Sequence, residues 1–304
     1  MIFIPLDVSK NYQADYIENY ESLTKGTNRL MLFAGDQKIE HLNKDFHGPF
    51  IHTDANHPEH IFNIASKGRI GAFATQLGLI ARYGYNHKDV NYIVKLNSKT
   101  NLLHEEQSEP VSQALWTIED VISFRKNSNL KIRGVGYTIY IGSEFEAQML
   151  NEAAQIVYKA HQYGLVAILW IYTRGKSVHE KSDLELTPGV SGIANALGAD
   201  FIKIKAPRSK DSLISNEILK VSVQAAGNTK IICSGGEAQS TDIFLNTLYE
   251  QINFGGTNGN ATGRNIFQRS LPDAIALTHA ISAIVYDNKS ISDALTLYNL
   301  MLKS

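Results

Sequence analysis

With 304 residues, 43% of them hydrophobic and 19% charged, the chain can bury a sizeable core and is neither disordered nor fibrous. Twenty-nine basic side chains against thirty acidic ones leave a formal charge of -1, which excludes a bulk attraction to nucleic acid or an anionic membrane but leaves room for a local basic pocket. A single cysteine, Cys233, excludes an internal disulfide and any zinc site built from two cysteines of one chain. Because the N-terminus has no signal-peptide pattern and no apolar run approaches a membrane span, the chain reads as soluble and cytoplasmic.

In chain order, short apolar β-branched runs begin near Arg29, Arg69, Asn91, Gly134, Leu165, Asp200, Thr229 and Ile252. Each is followed by a stretch of helical character, so the strands alternate with helices in parallel βα units. Their mean spacing of about 32 residues is the size of one strand, one helix and two loops. Eight such units predict a TIM (β/α)8 barrel. Ser143-Glu-Phe-Glu146 reads as a capping box opening a helix over 143–162, and Thr187-Pro188 as the start of another that ends at Leu197-Gly198. The run Ala34-Gly35-Asp36-Gln37 after the first strand lacks the glycine fingerprint of an open doubly wound sheet. No linker or change of composition divides the chain, which is expected to be one domain: a lead-in over 1–28 packed on the barrel, the barrel over 29–285, and a C-terminal helix over 286–304. Residues 42–61 form a long first loop.

Reactive groups in such a barrel lie at the C-terminal ends of the strands. Lys203 and Lys205 stand two apart in Asp200-Phe-Ile-Lys-Ile-Lys205, so strand alternation aims both ammonium groups one way and Ile202 and Ile204 the other. Desolvation and mutual repulsion lower a lysine pKa and provide a neutral amine for Schiff-base chemistry. The spacing equally allows a barrel-mouth lysine paired with a carboxylate or phosphate. Trp170 and Tyr172 share a face at the end of the fifth strand, as core packing or as a water screen and proton carrier. Gly175-Lys-Ser177 is no P-loop, because tryptophan occupies position 170 where the motif needs glycine. Ser234, Gly235 and Gly236, and then Gly263 and Arg264 in the run from Gly259, form two glycine-bearing loops where TIM barrels bind phosphate. Asp36 could orient a hydroxyl, exchange protons or simply cap the loop. His41, His47, His52, His57 and His60 cluster in the first loop without a metal-binding spacing, so the loop reads as a solvated lid. Cys233 closes an apolar run and reads as a buried small hydrophobe.

Six segments, in order, carry a resemblance: Asp36-Gln-Lys-Ile-Glu-His-Leu-Asn43, Gly136-Tyr-Thr-Ile-Tyr-Ile-Gly-Ser143, Leu169-Trp-Ile-Tyr172 with Arg174-Gly-Lys176, Gly198-Ala-Asp-Phe-Ile-Lys203, Ser234-Gly-Gly236 and Gly263-Arg-Asn-Ile266. Over about residues 29–285 the chain resembles the archaeal-type class I fructose-bisphosphate aldolases, relatives of the deoxyribose-phosphate and tagatose-bisphosphate Schiff-base aldolases. The resemblance implies a TIM barrel acting on a phosphorylated sugar, with no metal and no cofactor, in a homo-oligomer larger than a dimer. Lys203 matches the family's Schiff-base lysine, Tyr172 its proton-transfer tyrosine, Trp170 the neighbour of that tyrosine and Asp36 the carboxylate after strand one. Ser234, Gly235, Gly236, Gly263 and Arg264 match its phosphate loops. Thr173 stands where the family pattern has proline, Lys205 remains a second candidate amine, and the histidine-rich loop is fuller than the pattern. A Schiff-base aldolase or transaldolase-like transferase for another phosphosugar, and a non-catalytic phosphosugar-binding barrel, stay open.

Overall fold

The computed structural model describes residues 2–40, 43–100, 109–178, 183–208 and 215–303. Eight parallel strands close into one barrel in sequence order: β1 (Leu30–Ala34), β2 (Ala72–Gln76), β3 (Tyr92–Lys95), β4 (Ile132–Ile141), β5 (Val166–Thr173), β6 (Phe201–Ile204), β7 (Lys230–Ser234) and β8 (Gly259–Thr262), with β8 pairing back on β1. This is the TIM (β/α)8 architecture. The helices are α1 (Gln13–Thr24), α2 (Gln37–Glu40), α3 (Glu59–Lys67), α4 (Leu77–Tyr83), α5 (Ile118–Ser128), α6 (Glu146–Gln162), α7 (Asp183–Ala196), α8 (Asn216–Ala226), α9 (Thr241–Asn253), α10 (Arg264–Phe267), α11 (Leu271–Asp287) and α12 (Ile291–Lys303).

Alternation along the strands sorts the apolar residues into two layers. Leu32, Ala74, Ile93, Val166, Ile168, Phe201, Ile232 and Ala261 fill the barrel interior, whereas Phe33, Phe73, Val94, Leu169, Ile202, Ile204, Ile231 and Cys233 face the helices. The N-terminal mouth is plugged by the lead-in, where Val8 and, on α1, Tyr16, Tyr20 and Leu23 join the interior layer and Tyr20 stacks on Phe201 with ring centroids 5.7 Å apart. The loops that follow the strands lie at the opposite, C-terminal mouth, where this architecture usually carries its chemistry.

Four local expectations change. Ile252 does not open a strand: Phe244, Leu245, Leu248 and Ile252 continue one buried helical stripe to the end of α9, and β8 is the short run Gly259–Thr262. Only Gly263 and Arg264, rather than the whole run from Gly259, therefore lie beyond the strand. α6 begins at Glu146 because the capping box is not made: the Ser143 hydroxyl donates to the Pro110 carbonyl at 2.7 Å, and the Glu146 carboxylate accepts from the Gly142 N–H. α7 begins before Thr187 and carries Pro188 inside it, although its end near Gly198, in the left-handed region at φ +82°, is as expected.

The fourth change concerns the first loop, which is packed down rather than a solvated lid. Phe46 stacks on Phe267 at 4.6 Å, the Gln268 amide donates to the Asp45 carbonyl at 2.9 Å, and the Asp54 carboxylate accepts from the N–H of Leu271 at 3.1 Å. α3 begins inside the expected loop, and its His60 is buried, donating through Nε2 to the Phe267 carbonyl at 3.1 Å. His41 lies outside the described residues.

Candidate active site

The lysine singled out from strand alternation enters the barrel. Lys203 faces inward on β6 as Phe201 does, in register with Trp170 of β5 and Ile232 of β7, and only 5% of its surface is exposed. Burial lowers its pKa from the ordinary lysine value; Asp36 and Glu40 pull the other way, while Lys95 and Arg264 add to the lowering. Lys205 behaves differently. β6 ends at Ile204, so the alternation does not carry to the next lysine, which is exposed and lines a small cavity with Ile171, Thr187 and Val190 against α7.

Trp170 is buried inside the barrel, its ring lying over Gly136 of β4 so closely that a Cβ there would come within 2.3 Å of it. The Lys203 ammonium position is 5.4 Å from the centroid of this indole, which excludes water from that side. Tyr172 stacks on Tyr140 at 6.3 Å. Burial, then the charges of Glu40 and Asp36, push the Tyr172 hydroxyl well above its ordinary pKa, so it is held protonated.

Asp36 follows β1 and is buried. The turn that places it depends on Gly35, where a Cβ would meet the Phe73 ring at 2.5 Å. Its main-chain carbonyl accepts from the Gln76 amide at 2.9 Å, while its carboxylate Oδ1 is buried without a hydrogen-bond partner among the described residues. A buried acceptor of this kind recovers its desolvation cost from a donor on water or on a ligand.

Across the mouth, Ser234, Gly235 and Gly236 leave β7, with Gly236 at φ +71°. Gly263 opens α10, and Arg264 stands 3.8 Å from the Asp45 carboxylate. The two loops are joined by Asn265, whose amide donates to the carbonyls of Gly235 (3.0 Å) and Glu237 (2.9 Å) and accepts from the Gln239 N–H (3.0 Å). Sequence reasoning missed this staple, and also Glu40, Lys95 and Tyr140. The charge-in-an-apolar-strand argument applied to Lys203 would have found Lys95 in Tyr92-Ile-Val-Lys95. Cys233 is fully buried and faces the helices, its thiol pushed up to about 12 by burial. Among the described residues no group of three His, Cys, Asp or Glu side chains is arranged to hold a metal ion, and no helix is long and apolar enough to cross a membrane.

A buried amine, a protonated phenol, a carboxylate with one buried oxygen free of partners among the described residues and two adjoining glycine-bearing loops suit carbonyl chemistry on a phosphorylated substrate. The DeoC/LacD family aldolase profile matches residues 30–269. The chain belongs to this family. It is 50% identical over 97% of its length, and 94% of the relative's, to the fructose-bisphosphate aldolase/6-deoxy-5-ketofructose 1-phosphate synthase of Methanocaldococcus jannaschii. The solved fructose-bisphosphate aldolase of Slackia heliotrinireducens superposes with a TM-score of 0.94 at 48% identity, covering 98% of this chain and 94% of that one. An archaeal fructose-1,6-bisphosphate aldolase, solved with its catalytic lysine covalently bound to the carbinolamine intermediate, superposes with a TM-score of 0.75 at 30% identity, covering 89% of this chain and 99% of that one.

Proposed function

We propose that this DeoC/LacD-family aldolase is a class I enzyme that reversibly cleaves fructose 1,6-bisphosphate to dihydroxyacetone phosphate and glyceraldehyde 3-phosphate, with Lys203 as the imine-forming residue. The observation that carries the reading is the single inward lysine of β6, buried beside Trp170 with its pKa lowered by that burial and Asp36 among the charges that act on it. A neutral Lys203 amine attacks the C2 carbonyl, and the carbinolamine takes up a proton and loses water to give a protonated imine. Asp36 takes the C4 hydroxyl proton, the C3–C4 bonding electrons move into the imine, and the aldehyde leaves an enamine. Tyr172, protonated at neutral pH, delivers a proton to C3. Hydrolysis then releases the ketone phosphate and the free lysine. Ser234, Gly235, Gly236, Gly263 and Arg264 grip the phosphate and spend its binding energy on alignment.

The relative from Methanocaldococcus jannaschii carries two activities in its name, which favours a second reading: the same imine intercepted by another aldehyde, in the manner of a transferase. The cytoplasm and a homo-oligomer larger than a dimer complete the proposal, on the strength of the family resemblance.

Borohydride reduction in the presence of dihydroxyacetone phosphate, followed by intact mass and peptide mapping, tests the assignment. A stable adduct is expected on the Lys203 peptide, absent from Lys203→Met and retained in Lys205→Met. An adduct on Lys205 would move the role, and binding with neither adduct nor turnover would identify a phosphosugar-binding barrel. An aldehyde panel on the active protein separates the cleavage and transfer readings.

A further inference from the structure

The alternation that sends Lys203 into the barrel operates on β3 as well, where Ile93 belongs to the interior layer and Tyr92 and Val94 to the outer one. Lys95 is therefore an inward lysine, and it is completely buried. Its Nζ donates to the main-chain carbonyl of Asn97 at 2.8 Å and to the Asn97 amide oxygen at 3.3 Å, and lies 3.8 Å from the Glu40 carboxylate. Asn97 is itself fixed, donating to the carbonyls of Ser112 and Thr138 and accepting from the Thr138 N–H. Two oxygens of the fixed Asn97 thus hold the ammonium in place, with the Glu40 carboxylate beside it.

That charge is close to Lys203. Gly136 stands across from Lys95 in the β3–β4 register, and the Trp170 indole occupies the space a side chain at Gly136 would need. The Lys95 and Lys203 ammonium groups are each 5.4 Å from the centroid of this indole, so they are no farther apart than twice that distance. Lys205, which the sequence suggested as the neighbouring charge, is exposed beyond the end of β6.

We propose that Lys95 is a positioning residue for the amine of Lys203: a positive charge held by Asn97, sharing the Trp170 indole as a neighbour and balanced by Glu40, that disfavours a second ammonium inside the barrel. The inference rests on the aldolase reading of Lys203. The charged groups acting on Lys203 are Asp36 from the loop after β1, Glu40 from α2, Lys95 from β3 and Arg264 from α10; the phenols of Tyr140 on β4 and Tyr172 on β5 beside them are held neutral by burial. The two carboxylates favour the ammonium and the two cations oppose it. A unit charge about 10 Å away in a medium of effective dielectric about 20 moves a titration midpoint by about one unit.

The test is the pH dependence of borohydride trapping with dihydroxyacetone phosphate, read on the Lys203 peptide, in the wild type, Lys95→Met, Lys95→Arg and Glu40→Gln. Trapping requires the neutral amine, so its rate rises with pH through the Lys203 midpoint. Lys95→Met removes an opposing charge and is expected to raise the midpoint by about one unit, slowing trapping about tenfold below it. Glu40→Gln is expected to lower the midpoint, and Lys95→Arg to hold it within about 0.3 units. Opposite displacements are the signature that a purely structural role would not produce. Should Lys95→Met fail to fold, the direction in Glu40→Gln and the constancy in Lys95→Arg decide. A wild-type adduct on Lys203 whose midpoint is unmoved, or moves the same way in both charge-removing variants, overturns the role of Lys95 alone. A wild type that forms no adduct on Lys203 overturns the aldolase reading and this inference with it.

Discussion

Tyr172 is pushed by burial and by two carboxylates so far above the ordinary range that it does not act as a free base near neutrality; what it can do is lend a proton and regain it. Tyr172→Phe should therefore lower kcat by roughly 100-fold while KM stays within about threefold, the usual weight of one positioned proton donor. Because Lys203, the proposed imine lysine, is untouched, borohydride trapping of the ketone phosphate should persist, and steady-state kinetics beside trapping on one preparation checks both halves. Loss of trapping would show that the phenol serves imine formation instead. At this scale much of the site was legible in the sequence, because a lysine in an apolar strand is a physical anomaly that needs a reason. Lys203 carried that signal openly between Ile202 and Ile204. Lys95 carried it too, but at the end of its strand, where a charge looks like the start of a loop. Glu40 gave no local sign, since its importance comes from where α2 sets it relative to β3 and β6.

The two loops proposed to hold phosphate come from different βα units, so their spacing must be set by something that spans them. Asn265 does so with three hydrogen bonds reaching Gly235, Glu237 and Gln239. Asn265→Ala would leave two carbonyls and one N–H without these partners, a loss of about 1 kcal/mol or more for each group that water does not reach. On the proposed assignment, in which the loops hold the phosphate away from the breaking bond, the expected result is a KM for the bisphosphate raised about tenfold with a smaller change in kcat. Inorganic phosphate should weaken as a competitive inhibitor in parallel, and an unchanged inhibition constant would show that the loops do not hold phosphate. The misplaced eighth strand has a clear cause. Ile252 was taken as a strand start because its apolar neighbourhood is real, yet it belongs to a helical stripe that continues from Phe244. The true β8, Gly-Asn-Ala-Thr, has weak strand propensity and exists because the barrel must close on β1. Local pattern finds elements that are stable on their own terms and misses those imposed by closure.

Taken whole, the barrel separates chemistry at one mouth from stability at the other. The closed end is held by a buried polar network: His161 of α6 lies 3.1 Å from the Asp200 carboxylate at the start of β6 and 2.9 Å from Asp7 of the lead-in, and Tyr16 of α1 donates to Asp200. Burial alone would lower the His161 pKa, but the charges and hydrogen bonds of Asp200 and Asp7 outweigh it and raise it to about 10. The folded state therefore retains this proton over a range of pH in which the unfolded chain, titrating near 6.5, has released it. Between those values the native state binds more protons than the unfolded one, so unfolding free energy falls as pH rises. The contribution, on the order of a few kcal/mol, is fully present below about pH 6.5 and is lost as pH rises through about 10. Urea midpoints measured from pH 6 to pH 10.5 should decline in the wild type, and the decline should flatten in His161→Gln, which is less stable at low pH. An equal slope in both proteins would place the linkage elsewhere. Because the network lies at the plugged end, catalysis measured well below the unfolding midpoint should keep its pH profile in the variant, which separates the stabilising imidazolium from the reacting amine.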